Sequence, residues 1–293
     1  KRYSIGIIGR GFVGKAVAHG FSNATGYDAD IYIYDKDKSK SLNSLNEVVK
    51  KSDIVFISVP TPSNKDGSMN LDILEECIKE INDMAISLNS MDAIYLIRST
   101  VLPGTSRAMQ NKFPNLKIVF NPEFLTERSA YFDFLSQTRV ILGSENYENM
   151  LKVKALYEDR FGKSISVILT DYESAELIKY ACNTFFATKV SFLNEMKLLS
   201  EKIGANWDDV IKGFVSDGRI GNSHTNIPGP DGKLGFGGSC FPKDIQALIK
   251  FGEEINIEMS VLKGTWKTNL AVRPEKDWEK LIGRSTLATE NDN

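Results

Sequence analysis

Cysteine is scarce. The 293 residues carry 3 cysteines, Cys77, Cys182 and Cys240, with no CxxC pair and no Cys/His spacing of the zinc-binding kind. An odd handful in a chain this long excludes a disulfide framework, gives no metal site, and favours free thiols in a reducing, cytoplasmic setting. Net charge is nearly absent as well, at −2 from 36 Lys+Arg against 38 Asp+Glu. A surface balanced in this way lacks the electrostatic footprint of a nucleic-acid or anionic-membrane binder. No uninterrupted apolar run is long enough to span a bilayer. The first residues already read as a strand, so no signal peptide is expected. Internal repeats and low-complexity tracts are missing too. What remains, 42% hydrophobic and 25% charged residues, is the composition of a soluble globular protein, and the length suits two domains.

Short apolar segments at 3–8, 30–34, 54–59, 93–97, 117–120, 139–142 and 165–169 read as strands. Helical patterns at 12–22, 44–51, 71–88, 106–112 and 147–161 lie between them. This alternation predicts βαβ units and a mostly parallel sheet covered on both faces. Past Thr170 the pattern changes. From Tyr172 to about Ile203 there is no Gly or Pro, and Leu177, Tyr180, Ala181, Thr184, Phe185, Thr188, Phe192, Leu193, Met196 and Leu199 form a broad apolar stripe. A helix of that length runs roughly 45 Å, which suits a bridge between domains or a subunit interface. Helices are also expected at 207–214, 242–254 and 259–270, with a long Gly/Pro-rich loop over 216–239 and a frayed end over the last ten residues. The expected fold is therefore α/β: a Rossmann-type doubly wound sheet (residues 1–170, binding NAD), followed by an all-α domain built on a long central helix (171–293, for dimerisation and substrate).

Gly9-Arg10-Gly11-Phe12-Val13-Gly14 follows a strand and opens a helix, and Asp35 closes the next strand. The first glycine allows a tight turn, the second lets the backbone approach a pyrophosphate, and the third lets helix and strand pack closely. The unpaired N–H groups of Phe12 and Val13 at the helix start suit phosphate. Asp35 suits the adenosine ribose hydroxyls and repels a 2′-phosphate, which favours NAD over NADP, although Lys36 stands next to it. The competing reading is a glycine turn in an unrelated α/β protein.

Gly235-Phe236-Gly237-Gly238-Ser239-Cys240-Phe241-Pro242-Lys243-Asp244 is the densest stretch of candidate chemistry. Glycines there permit close approach to a ligand. Pro242 suits the first turn of a helix, so Cys240 falls near a helix N-terminus, where a thiolate is favoured. Asp244, four residues on, shares its face and could take a proton or hold a water. Lys179 and Asn183, also spaced i, i+4, could stabilise an oxyanion. Glu123, in Asn121-Pro122-Glu123-Phe124-Leu125-Thr126-Glu127, follows a strand end and is a candidate general base toward water. Thr100, in Ser99-Thr100-Val101-Leu102-Pro103-Gly104, lies at another strand end near the cofactor. Each has a plainer alternative: a packed inert thiol, a solvated lysine, a helix-capping carboxylate. For Cys77 and Cys182, on amphipathic helices, and for His19 and His224, a structural role is the reading taken.

In this order, the segments resemble the UDP-glucose/GDP-mannose dehydrogenase family, its UDP-glucose-oxidising branch most closely. The resemblance runs from the Gly9 turn through Val59-Pro60-Thr61-Pro62, the Thr100 and Glu123 segments and on to Asp244, covering about the first 270 residues. It implies a four-electron oxidation of a sugar C6 alcohol to a carboxylate with two NAD, UDP-glucose giving UDP-glucuronate for polysaccharide biosynthesis. In that scheme Cys240 is the nucleophile, passing through a thiohemiacetal and a thioester. Lys179 and Asn183 hold the oxyanion, Asp244 works with a water, Glu123 serves hydrolysis, and Thr100 stands beside the reacting centre. Pro60, Thr61, Thr100 and Lys243 join the glycine turn and Asp35 in holding NAD. Glu123, Phe124, Leu125, Glu127, Lys179, Asn183, Phe236, Gly237 and Cys240 contact the sugar nucleotide. Arg219 reaches the diphosphate of a neighbouring subunit's substrate, so a homodimer is implied. Two departures are visible: Pro230-Asp231-Gly232-Lys233-Leu234 reads as an insertion, and no second glycine-rich α/β pattern follows, so a short form lacking the third, UDP-binding domain is expected. The competing functions are a single-hydride dehydrogenase of the 6-phosphogluconate or 3-hydroxyacid type, and a module that binds NAD or a nucleotide sugar without turnover.

Overall fold

A computed structural model describes residues 2–284 and 286–287. The chain forms two compact units: one gathers the residues up to Thr61 with Leu71–Lys179, the other Pro62–Asn70 with the chain from Tyr180 onward. The first is a seven-stranded sheet of β1 (Tyr3–Ile8), β2 (Ala29–Tyr34), β3 (Ile54–Ile57), β4 (Ile94–Ile97), β5 (Lys117–Phe120), β6 (Arg139–Gly143) and β7 (Ser166–Thr170). Strand order is β2-β1-β3-β4-β5-β6-β7. The first five strands are parallel; β6 meets β5 antiparallel through Phe120 and Gly143, and β7 runs parallel to β6. Because β1 and β3 are neighbours while β2 lies on the far side of β1, the chain direction switches there, and the carboxyl ends of β1 and β3 frame a crevice.

The strands form where the apolar runs stand. All four residues of β3 and of β4 are buried, as expected for strands covered on both faces. The helices of this unit are α1 (Phe12–Gly20), α2 (Leu45–Lys51), α3 (Asp72–Leu88), α4 (Thr105–Lys112), α5 (Ala130–Leu135) and α6 (Tyr147–Phe161). Ser44 starts α2 with a reciprocal box: its Oγ accepts the Glu47 N–H at 3.2 Å and Glu47 Oε2 accepts the Ser44 N–H at 3.1 Å. Two details depart from the sequence pattern. Strand β3 stops at Ile57 rather than 59, because the Val59 main chain turns to a side chain: its N–H donates to Ser99 Oγ (3.1 Å), and that hydroxyl donates to the Val59 carbonyl (2.6 Å). Helix α5 was not expected; Ala130 and Phe134 alone bury, too short a stripe for periodicity to reveal.

Helix α7 (Tyr172–Ile203) has 32 residues, begins in the first unit and continues into the second, where it is joined by α8 (Trp207–Val215), α9 (Phe241–Glu254) and α10 (Ser260–Val272). The core of the second unit is Ala187, Val190, Leu193, Ile227, Phe236 and Ile245. The apolar stripe of α7 divides. Tyr180 and Leu193 are buried, whereas Leu177, Phe185, Phe192 and Leu199 are exposed. The segment expected to fray lies mostly outside the described residues. None of the described helices is long and apolar enough to cross a membrane.

Candidate active site

The crevice end of β1 is built for a dinucleotide. Gly9 has φ +89°, and a Cβ there would strike the Ser58 carbonyl; a Cβ on Gly14 would strike the Gly9 carbonyl. Helix α1 thus approaches the turn as closely as only glycine allows. A Cβ on Gly11 would meet nothing within 4 Å, so open space lies over the turn, and no side chain caps the first turn of α1, which holds Phe12 and Val13. Asp35 extends past the end of β2; its Oδ2 accepts the Arg10 N–H (2.6 Å) and its Oδ1 the Asp37 N–H (2.8 Å). The carboxylate is therefore locked to the glycine turn. Lys36 points away to Glu76, with Nζ at 3.1 Å from Oε2. Open backbone N–H groups for a pyrophosphate and an oriented carboxylate for ribose hydroxyls fit NAD.

Thr100 lies in the loop after β4. Thr61, buried after β3, donates to the Thr100 carbonyl at 2.8 Å, while Pro60 is exposed beside it. Glu123, after β5, is 7% exposed and Lys179 of α7 is 3% exposed. Lys179 Nζ donates to the Glu123 carbonyl (2.6 Å) and to Glu123 Oε1 (3.1 Å), and Oε2 accepts the Leu125 N–H (2.7 Å). Two buried charges are in this way satisfied by each other and by main chain, the condition under which burial is tolerable. The Phe124 ring takes the Arg139 guanidinium at 3.9 Å and Lys179 Nζ at 5.4 Å. Leu125 packs on the sheet core, and Glu127 is exposed. Beneath these loops Arg98 is buried with Nη1 2.6 Å from Asn121 Oδ1 and 3.2 Å from the Tyr157 hydroxyl. That triad ties the end of β4 to the end of β5, hence the Thr100 loop to the Glu123 loop. Sequence pattern gave no sign of it, since its members come from two strand ends and α6.

In the second unit Cys240 is half-buried and is the N-cap residue of α9. Asp244, one turn on, is 1% exposed; its Oδ2 accepts from Asn183 Nδ2 at 2.7 Å. Lys243 Nζ lies 3.2 Å from Asp244 Oδ1 without hydrogen-bond alignment, so that oxygen is buried with no hydrogen-bond partner among the described residues. Lys179 and Asn183 sit one turn apart on α7. Arg219 is exposed and clasps Asp217 through Nε (2.9 Å) and Nη2 (2.6 Å). Phe236 lies in the core. Burial pushes the Cys77 thiol up to about 12, which disfavours its thiolate.

The residues that shape the cysteine loop were missed. Asn269 Oδ1 accepts the Phe236 N–H (2.7 Å) and its Nδ2 donates to the Phe236 carbonyl (3.0 Å), while Asn194 Oδ1 accepts the Gly235 N–H (3.0 Å). Arg273 is 2% exposed and pairs with Asp231 (2.7 Å) and Asp277 (2.6 Å). Its guanidinium lies against Gly237, where a Cβ would come within 2.5 Å of Nη2. The 230–234 segment thus helps hold this arginine, through Asp231 and the Leu234 carbonyl. The Arg273 hydrogen bond, outweighing partial burial, pulls the Asp277 carboxyl down to about 2. A depressed carboxyl stabilises the fold above its unfolded pKa of ~3.9 and loses that contribution as pH falls through the folded value. Asp277→Asn should therefore cost about 2 kcal/mol at pH 7, and urea titrations should show the gap to the unaltered protein narrowing below pH 4. A gap that is the same at pH 3 and pH 7 would contradict this role.

A doubly wound sheet with a glycine turn at its switch point and an acidic residue after β2 defines the dinucleotide-binding class of α/β protein. Residues 40–160 match the NAD binding domain, and residues 173–271 the central domain, of the UDP-glucose/GDP-mannose dehydrogenase family. The chain belongs to that family. The UDP-glucose 6-dehydrogenase of Rickettsia felis is 37% identical over 237 residues, 80% of this chain and 51% of its own length. A Bacillus subtilis UDP-glucose 6-dehydrogenase is 33% identical over 233 residues, 77% of this chain and 50% of its own. The chain spans about half the length of these curated relatives. Among solved structures, a UDP-glucose dehydrogenase from Pyrobaculum islandicum superposes with TM-score 0.80 at 28% identity, covering 92% of this chain and 68% of its own. A Mycobacterium tuberculosis 3-hydroxyisobutyrate dehydrogenase, TM-score 0.72 at 14% identity, shares the fold alone.

Proposed function

We propose that this chain carries out the NAD-dependent oxidation of a nucleotide sugar, UDP-glucose to UDP-glucuronate, through a covalent adduct on Cys240. The observation that carries the reading is Cys240 at the N-cap of α9, one turn before a buried Asp244 held by Asn183, in a chain of this family. The balance is R–CH2OH + H2O + 2 NAD⁺ → R–COO⁻ + 2 NADH + 3 H⁺. NAD, held by the Gly9–Gly14 turn and Asp35, supplies the hydride acceptor for both oxidations. The Cys240 thiolate adds to the aldehyde carbon, giving a thiohemiacetal; its oxidation leaves a thioester, which water cleaves to carboxylate and free thiol. Lys179 and Asn183 donate to the oxyanion formed at each addition. The Oδ1 of Asp244, beside Lys243 but accepting no hydrogen bond among the described residues, offers an acceptor for a water, and Glu123, held by Lys179, serves the hydrolytic step. The paired Lys36 and the oriented Asp35 support NAD over NADP.

Counting NADH formed per UDP-glucose consumed tests the reading. Two is expected. One would replace it with a single-hydride dehydrogenase, and none would leave a binding module.

The same reading includes a homodimer, with the cytoplasm as its setting. Leu177, Ala181, Phe185, Phe192 and Leu199 line an exposed apolar seam on α7, opposite the face packed in the core. A helix apolar on two faces needs a second partner. Phe192→Glu should shift the sedimenting species to monomer, since it places a charge amid that seam. A dimer that persists unchanged at micromolar concentration would place the contact elsewhere.

A further inference from the structure

Helix α4 follows the Thr100 loop, yet its own sequence does not cap it. Its N-cap residue is Gly104, at φ +98°, which has no side chain to bond the first N–H groups. The acceptor arrives from 72 residues away: Glu176 of α7 takes the Gly104 N–H on Oε1 (3.0 Å) and the Ser106 N–H on Oε2 (2.9 Å). Glu176 is fully buried. Both of those bonds go to main chain, while the neighbouring cation, Arg107, is engaged by Glu173 (2.6 Å) and Glu145. Burial outweighs the two N–H donors and pushes the Glu176 carboxyl up, to about 7. At φ +98° a serine or aspartate at position 104 would be strained, so the acceptor for these N–H groups comes from elsewhere in the chain. What the remote carboxylate adds is attachment to a particular helix, one turn before Lys179. The other end of the loop is already fixed, through Ser99 to Val59 and through Thr61 to the Thr100 carbonyl.

We propose that Glu176 is a positioning residue for the reaction: by capping α4 from α7, it holds segment 99–104, and with it Thr100, in fixed register with Lys179 and the Glu123 loop. The catalytic half of this inference rests on the dehydrogenase reading above. Glu176→Gln keeps the volume and one good acceptor, and replaces the other oxygen with a donor facing an N–H. Glu176→Ala removes both acceptors. The expected result is graded. Hydrogen exchange at the Gly104 and Ser106 amides quickens by about tenfold or more in Glu176→Gln and further in Glu176→Ala. Turnover with UDP-glucose falls in the same order, by about tenfold and about 10²-fold, while KM for UDP-glucose and the NADH affinity measured by fluorescence stay within about twofold. A general loss of fold would instead move all of these together.

Amides that exchange at the unaltered rate in Glu176→Gln overturn the inference. So does quickened exchange with unaltered turnover. If Glu176→Ala does not fold, Glu176→Gln decides alone. Unaltered protein that forms no NADH refutes the proposed function instead; the capping is then judged on exchange alone, upheld by local quickening at 104 and 106 and overturned by its absence.

Discussion

Replacing Cys240 with alanine is expected to lower NADH formation from UDP-glucose by on the order of 10³-fold, a loss of about 4 kcal/mol of transition-state stabilisation. The fold should hardly notice. Cys240 is half-buried, and its side chain makes no capping bond to α9. Its sulfur lies 3.8 Å from Ser239 Oγ, and the loop that carries it is held by Asn194, Asn269 and Arg273. Stability should therefore stay within about 1 kcal/mol, the range of a mild substitution, and NADH binding should be unchanged. Without a thiolate, an aldehyde cannot be converted to a thioester, so at most one hydride equivalent leaves each sugar. Trapping with a carbonyl reagent should detect that aldehyde. Full turnover with two NADH per sugar in Cys240→Ala would remove the covalent route altogether.

Lys179→Met should have the second largest effect, on stability as well as rate. Lys179 is the cation for Glu123, and both are buried. Removing one partner of a buried pair strands the other charge and costs about 3–5 kcal/mol. Turnover should fall by about 10²-fold or more, as for loss of one oxyanion donor. The two effects can be separated. Lys179→Met combined with Glu123→Gln removes the stranded charge, so most of the lost stability should return. Turnover should not, because both roles are then empty. Denaturant titration and steady-state rates on the three proteins provide the check. If the double variant recovers activity, the lysine is structural only.

Much of the fold could be read along the chain because its signals are local. Apolar runs of strand length, alternating with 3.6-periodic stretches, placed all seven strands within a residue or two and the 32-residue helix from Tyr172. The glycine turn and Asp35 announce a dinucleotide site for the same reason: backbone geometry at Gly9 and Gly14 admits no other residue without a clash. The residues proposed to carry the chemistry, Cys240, Asp244, Lys179, Asn183, Glu123 and Thr100, were picked out by type and spacing, and by resemblance.

The supports behind them were not. Glu176 and Gly104 stand 72 residues apart, Asn269 and Phe236 33, Arg273 and Asp231 42. Periodicity carries no record of partners at such separations, because a side chain's hydrogen bond depends on where the backbone returns. The 230–234 segment shows this best: along the chain it reads as an insertion, and in the fold it supplies the aspartate for the arginine against Gly237 of the cysteine turn. Composition and local pattern determined which elements form and which atoms could react. Only tertiary packing decided which buried charges are paired and which loops are held still, since burial makes an unpartnered polar group costly and so dictates its partner.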